Sequence, residues 1–272
     1  MKSGTNWVGS LLSSHVSIHC VGEFHWQEIV QPFNKNLGSL PAFLNQHKHL
    51  VESTRDHLEE MIQQTLIDAA EPTATLIGDR TPHSIVPVIM RNVPHISVIR
   101  DGRDVLVSRA FHLFNRPEVA PIFDRLPSMR AALEAFQNDS WFFHKHPDQL
   151  LANEEFVRVS AAWWRDHLAS DFQAVERYPQ LPVLFVRYED IHADTAGQRQ
   201  KMFEFLNVDP TKAAKIEGVL QPGFKQERPS EFLRKGAVGD WKNYFTDQSK
   251  SWFKEIAGQT LIQQGYASDD SW

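Results

Sequence analysis

Three stretches of this chain carry residue types that can hold anions, and a fourth carries groups that can move a proton. The first is Lys2-Ser3-Gly4-Thr5-Asn6-Trp7, running into the apolar segment Val8 to Leu12. Lys, small hydroxyl, glycine and hydroxyl in succession let a backbone loop wrap an anionic group. Such a loop hands the anion to a helix N-terminus, where exposed N–H groups and the helix dipole favour negative charge. Taken alone, the same pattern is equally that of a Ser/Thr-rich helix cap. The second stretch is Arg100-Asp101-Gly102-Arg103-Asp104, between the apolar run His95 to Ile99 and the periodic run Val105 to Phe111. Arg100 falls at a strand tip there, and Ser108 about two turns into a helix. The third is Arg234-Lys235-Gly236-Ala237-Val238-Gly239-Asp240-Trp241-Lys242. Adjacent cations before two glycines make poor helix and poor strand but a good loop for closing over a phosphate. The fourth is Asp79-Arg80-Thr81-Pro82-His83, ending the run Thr73 to Gly78. Residues just past the carboxyl end of a parallel strand point into a ligand crevice, so Asp79, Arg80 and His83 are candidates for chemistry. A salt-bridged turn closed by Pro82 is the plainer reading of the same residues.

Strands and helices must position these groups. The pattern predicts a helix over Trp7 to Ser14, a short strand over Ser17 to Val21, and a polar, aromatic cluster over Gly22 to Trp26 that lines a pocket mouth or forms a half-buried loop. A helix is expected over Leu50 to Ala70, a strand over Thr73 to Gly78, a helix over Ser84 to Asn92 and a strand over His95 to Arg100. Asn115 to Asn153 is Pro-rich, charged and aromatic without clean period, which suits an insertion or lid rather than core. Phe156 to Tyr178 is the clearest helix, with Ala161, Trp164, Leu168, Phe172 and Val175 on one face; Trp163 and Trp164 read as core. Pro182 to Asp190 reads as a strand with a polar tip, and helices are expected over Gln198 to Leu206, Lys212 to Leu220 and Ser251 to Gln264. The βα crossovers imply an α/β fold: three layers, with a parallel central sheet flanked by helices. Sites of this type lie just after a buried strand that aims the loop. No such strand precedes Lys2, so the first strand is expected to lie upstream of Met1, with any targeting segment, unless the sheet manages without it.

Composition narrows the classes. A net charge of −6 argues against a general nucleic-acid binder, so any anion site is built locally from a few cations. The single Cys20 cannot form an internal disulfide and fits a reducing, cytoplasmic setting. No run of about 18 apolar residues suggests a membrane span. Eight Trp and 18 Phe provide flat surfaces for packing or stacking. With no linker or repeat, residues 1–272 read as a single domain.

Three anion-binding features in one chain make sense together if one ligand carries several phosphate-like groups. The three segments, in this order, resemble those of the sulfotransferases that use 3′-phosphoadenosine 5′-phosphosulfate (PAPS). Lys2 to Trp7 is similar to the family's 5′-phosphosulfate loop, Arg100 to Ser108 to its 3′-phosphate segment, and Arg234 to Lys242 to its closing loop RKGxxGDW. The resemblance implies a fold related to the P-loop nucleotide kinases and transfer of a sulfuryl group to a hydroxyl or amine by in-line displacement, with PAPS as co-substrate and no metal. It implies that Lys2 contacts the oxygen bridging sulfur and phosphorus, while Ser3, Gly4, Thr5, Asn6 and Trp7 hold the 5′-phosphate. Arg100, Ser108, Arg234, Lys235 and Gly236 would bind the 3′-phosphate. Trp7, Phe224 and Tyr188 would meet adenine.

The chain departs from the cytosolic small-molecule branch, whose base is His in Lys-Thr-His-x-Pro. Asp79-Arg80-Thr81-Pro82 is closer to the acidic-Lys-(Ser/Thr)-Pro segment of carbohydrate and bacterial members, where a carboxylate is the base. Asp79 is therefore the expected base, Arg80 takes the Lys slot, and His83 is the second candidate. The acceptor, whether small molecule, glycan or lipid, and the oligomeric state stay open. The competing readings are a kinase-like phosphotransferase, disfavoured because no G-x-x-x-x-G-K-[ST] occurs, and a non-catalytic or N-terminally truncated nucleotide-binding relic.

Overall fold

Why the chain folds as it does is clearest from its longer helices, most of which bury residues three and four apart. The computed structural model describes residues 3–26, 28–30, 32, 46–81, 93–119, 122–215, 229 and 235–272. Lys2, His83, Phe224 and Arg234 lie outside the described residues, as do the expected helix over 84–92 and residues 216–220 of the one over 212–220; the described start of the latter is not α-helical, because Lys212 and Ala214 bond to the backbone of Val16 and Ser14 and Ala213 bridges His15. The chain divides into two compact units. The first comprises Ser3–Val98 and Ser170–Leu220, the second Ile99–Ala169 and Gln221–Trp272.

In the first unit, α1 (Thr5–Leu12) buries Trp7, Val8, Leu11 and Leu12. Strand β1 (Ile18–Gly22) pairs in parallel with β2 (Leu76–Asp79), Ile18 opposite Leu76 and Cys20 opposite Gly78. An irregularity between Cys20 and Gly22 then sets Gly22 opposite Asp79. Such a bulge bends the strand and re-aims the residues after it. Helix α2 (Lys48–Asp68) turns Ile62 and Leu66 into a cluster with Val30, against which Val21, Trp26, Leu58 and Ile77 pack. Strand β3 (His95–Ile99) pairs with β4 (Val183–Arg187). Thus the α/β architecture with parallel strands and flanking helices is present, and among the described residues its strands form two hydrogen-bonded pairs.

Strand β4 ends earlier than expected. Tyr188, Glu189 and Asp190 open a helix, α8 (Tyr188–Ala193), instead of extending the strand. The two carboxylates in its first turn complement the helix dipole, which explains the switch. Helix α9 (Thr195–Phe205) comes next, its N-terminus capped by Asp194, whose carboxylate accepts from Gly197 N at 2.9 Å.

The second unit is helical. Helix α3 (Gly102–Asn115) is capped by Asp101 and buries Val105, Leu106, Val107, Ala110, Phe111 and Phe114. The stretch read as an insertion is core. It forms α4 (Ile122–Arg125), α5 (Pro127–Asn138) and α6 (Phe142–Lys145), and it buries Phe123, Met129, Leu133, Phe136 and Phe143. Phe143 lies between Phe114 and Phe136, with ring centroids 4.6 and 5.4 Å away. The helices are too short for a periodic signal to stand out, but Met129, Leu133 and Phe136 keep helical spacing within α5. Helix α7 (Glu154–Arg177) gives its residues through Ala169 to this unit and the remainder to the first. Helix α10 (Asp247–Gln263) starts from a capping box between Thr246 and Ser249.

Candidate active site

In the first unit the loop Ser3-Gly4 enters α1 with Gly4 in the left-handed region, at φ 96°, and gives the helix no side-chain cap. Its leading N–H groups receive no acceptor from the cap residue, the arrangement suited to an anion. The loop has no room for a side chain at Gly4. A Cβ there would lie 2.5 Å from Cδ2 of Tyr188, whose ring packs beneath it. Tyr188 meets Trp7 edge to face, centroids 5.5 Å apart, and both are buried at 2% and 3% exposure.

The same unit holds the carboxylate candidate. Asp79 is the last residue of β2, and the bulge in β1 brings the Phe24 N–H to its Oδ1 at 3.2 Å. Burial pushes the Asp79 carboxyl above its ordinary value of 3.8. The Phe24 N–H and His25 pull it back, Glu23 pushes it further up, and Arg80 pulls it down. His25 Nε2 lies 3.9 Å from Glu23 Oε2, and His25 has φ 53°, one of two non-glycine residues with positive φ among those described. Phe24 stacks on Trp26 with centroids 5.3 Å apart. Next to Asp79, the Arg80 guanidinium donates through Nη1 to Asn6 Oδ1, and its aliphatic stem runs across Gly9, where a Cβ would collide with Arg80 Cδ. The segment Asp79-Arg80 is thus tied to the first turn of α1.

In the second unit the structure brings together Arg100, Ser108, Lys235 and Gly236 only in part. Arg100, 7% exposed, donates through Nη2 to Ala237 O at 2.8 Å, which links the tip of β3 to the C-terminal loop. Lys235 Nζ reaches Asp240 Oδ1 at 2.9 Å. Gly236 and Gly239 adopt φ 67° and 78°, a conformation that the loop requires of glycine. Ser108 lies on α3 and is half-buried.

Two residues that sequence reasoning left without a role hold this arrangement. Asp104 is 1% exposed, and its carboxylate accepts from Gly239 N at 2.7 Å and from Trp241 N at 2.9 Å. Its spacing of four from Arg100, at 3.8 Å, was the available signal. Trp164 donates through Nε1 to Arg100 O at 3.1 Å and covers Gly102, where a Cβ would lie 2.5 Å from the indole. Nothing in the local sequence announces that contact across 64 positions. Among the described residues no group of His, Cys, Asp and Glu could hold a metal ion, and no helix is long and apolar enough to cross a membrane.

Each unit thus holds a feature suited to an anion: in the first, an uncapped helix start behind a glycine that admits no Cβ, and in the second, a buried arginine bonded to a glycine-rich loop. Comparisons with known proteins point the same way. The family model described as "Sulfotransferase domain" matches residues 1–265. Rat sulfotransferase 1C2 (Rattus norvegicus) is 26% identical over an alignment covering 96% of this chain and 80% of the relative. Flavonol 4′-sulfotransferase of Flaveria chlorifolia is 23% identical, covering 97% and 78%. Among solved structures, that of mouse sulfotransferase SULT7A1 complexed with PAP is similar in fold, with a TM-score of 0.50, 17% identity, and coverage of 96% and 80%.

Proposed function

The chain belongs to the sulfotransferase domain family, and from that premise we propose a division of labour among its residues in PAPS-dependent transfer of a sulfuryl group to a hydroxyl or amine. When bound, PAPS supplies the sulfuryl group, whose bond to the bridging oxygen breaks as the bond to the acceptor forms. Ser3, Gly4, Thr5, Asn6 and Trp7 hold the 5′-phosphate end with the N–H groups at the start of α1, and Lys2 stabilises charge on the departing phosphate. Arg100, Ser108, Arg234, Lys235 and Gly236 hold the 3′-phosphate, and Trp7, Tyr188 and Phe224 flank adenine. Asp79 takes the acceptor's proton, and Arg80 holds Asp79's segment against Asn6. His83 is the alternative base. The single observation that carries this reading is Asp79 itself, a strand-tip carboxylate raised by burial and joined through Arg80 to the first turn of α1. A carboxylate of ordinary acidity is a weak base at neutral pH, so the upward shift favours the role.

We take the acceptor to be a small molecule, in keeping with the flavonol and amine sulfotransferases among its relatives. Residues 1–272 are treated as one sulfotransferase domain, since one family model spans both units. Lys2→Ala tests the leaving-group role: kcat falls by more than the affinity for 3′-phosphoadenosine 5′-phosphate (PAP), whereas a loss in affinity alone contradicts it.

A further inference from the structure

Arg103 is 4% exposed, and its place explains how the turn Arg100–Asp104 is kept rigid. Its Nη2 donates to Asp101 Oδ2 at 2.6 Å and its Nε to Asp101 Oδ1 at 2.9 Å. The same carboxylate caps α3 by accepting from Arg103 N at 2.9 Å. The guanidinium also donates through Nη2 to Tyr266 O at 2.7 Å, in the segment after α10. Its Cζ lies 4.0 Å from the Trp241 ring centroid and 4.5 Å from that of Trp272, and the two indoles meet edge to face at 85°. Arg103 therefore sits in a corner built by two tryptophans, one from the glycine-rich loop and one from the C-terminal segment.

The C-terminal segment is itself held. Lys254 on α10 donates through Nζ to Asp270 O at 2.5 Å and lies 4.9 Å from the Trp272 ring centroid. The Trp272 ring packs against Phe253 and Phe245, with centroids 6.0 and 6.4 Å away. Trp241, on the other side of the corner, is the residue whose N–H donates to Asp104. A chain of contacts thus runs from Trp272 through Arg103 to the Asp101 cap, and through Trp241 to the Asp104 carboxylate that also binds Gly239.

We infer that Trp272 is a positioning residue for recognition of a 3′-phosphate: by closing the corner around Arg103 it fixes the turn that carries Arg100 and the loop that carries Lys235 and Gly236. This rests on the assignment of Arg100, Lys235 and Gly236 to the 3′-phosphate made above. Trp272 touches no ligand in this account. It acts by keeping Arg103 desolvated between two rings, where a cation–π contact is strongest. Core packing alone would affect all nucleotides alike, whereas positioning of the 3′-phosphate group affects only those that carry it.

Isothermal titration of the full chain with PAP and with adenosine 5′-monophosphate separates the two. Trp272→Ala is expected to weaken PAP about 10-fold while changing adenosine monophosphate less than about 3-fold, and Trp272→Phe to keep most of the preference for PAP. Trp272→Leu keeps apolar bulk without a ring face and is the variant to read if alanine prevents folding; it too is expected to lose the preference. The proposal is overturned if the leucine variant discriminates as wild type does, or if both nucleotides weaken alike. A wild-type chain with no preference for PAP over adenosine monophosphate would instead refute the 3′-phosphate assignment from which the inference starts.

Discussion

Asp79 is the proposed base, and its neighbours make its protonation testable. A base must be ionised, so kcat/KM rises with pH through the pKa of Asp79; because burial raises that pKa, the acid limb of the profile is expected above pH 3.8. Glu23→Gln removes a negative neighbour and should move the limb to lower pH. His25→Gln removes a positive one and should move it to higher pH. Limbs that stay put in both variants would mean that another group titrates. Asp79→Asn should lower turnover by at least ~100-fold while PAP still binds, and turnover within a few fold of wild type would assign the proton to another residue. The strand-tip position made Asp79 a candidate, together with Arg80 and His83, and the family resemblance made it the expected base. Sequence pattern could not reach the bonds from Phe24 N or to Asn6, which depend on a bulge in β1 and on which way Arg80 lies.

At the scale of elements, glycine marks the places where backbone and ring meet. Gly102 opens α3 directly beneath Trp164, so Gly102→Ala forces the indole or the helix start to move. The expected cost is about 1–3 kcal/mol of stability, read as a lower denaturant midpoint, together with weaker PAP binding because Arg100 O loses its Trp164 partner. An alanine variant as stable as wild type would show that the turn is looser than its packing implies. The long helices α2 and α7 are legible from their apolar period, and so are β2 from the β-branched run Thr73 to Gly78 and β3 from its apolar run. Two readings failed for physical reasons. The stretch from Asn115 to Asn153 looked like a lid because its helices are short and interrupted by proline, yet Phe123, Phe136 and Phe143 are core. Pro182 to Asp190 looked like one strand because apolar residues run into Tyr188. The acidic pair Glu189-Asp190 instead sits in the first turn of a helix.

At the scale of the whole molecule, three short motifs in one order were enough to suggest the family, and the match over residues 1–265 establishes it. Which residues join the motifs was not legible, since the Asp104, Trp164 and Trp272 contacts link positions far apart in the chain. Transfer of a sulfuryl group by this chain is tested most directly by incubation with PAPS labelled in its sulfuryl sulfur and a small-molecule cell extract, then chromatography of the label. Label is expected to move to a new small organic product as PAP is released in equal amount, and Asp79→Asn is expected to suppress both. Label that stays on the nucleotide while titration shows PAP bound would contradict sulfuryl transfer, leaving a nucleotide-binding relic without catalysis.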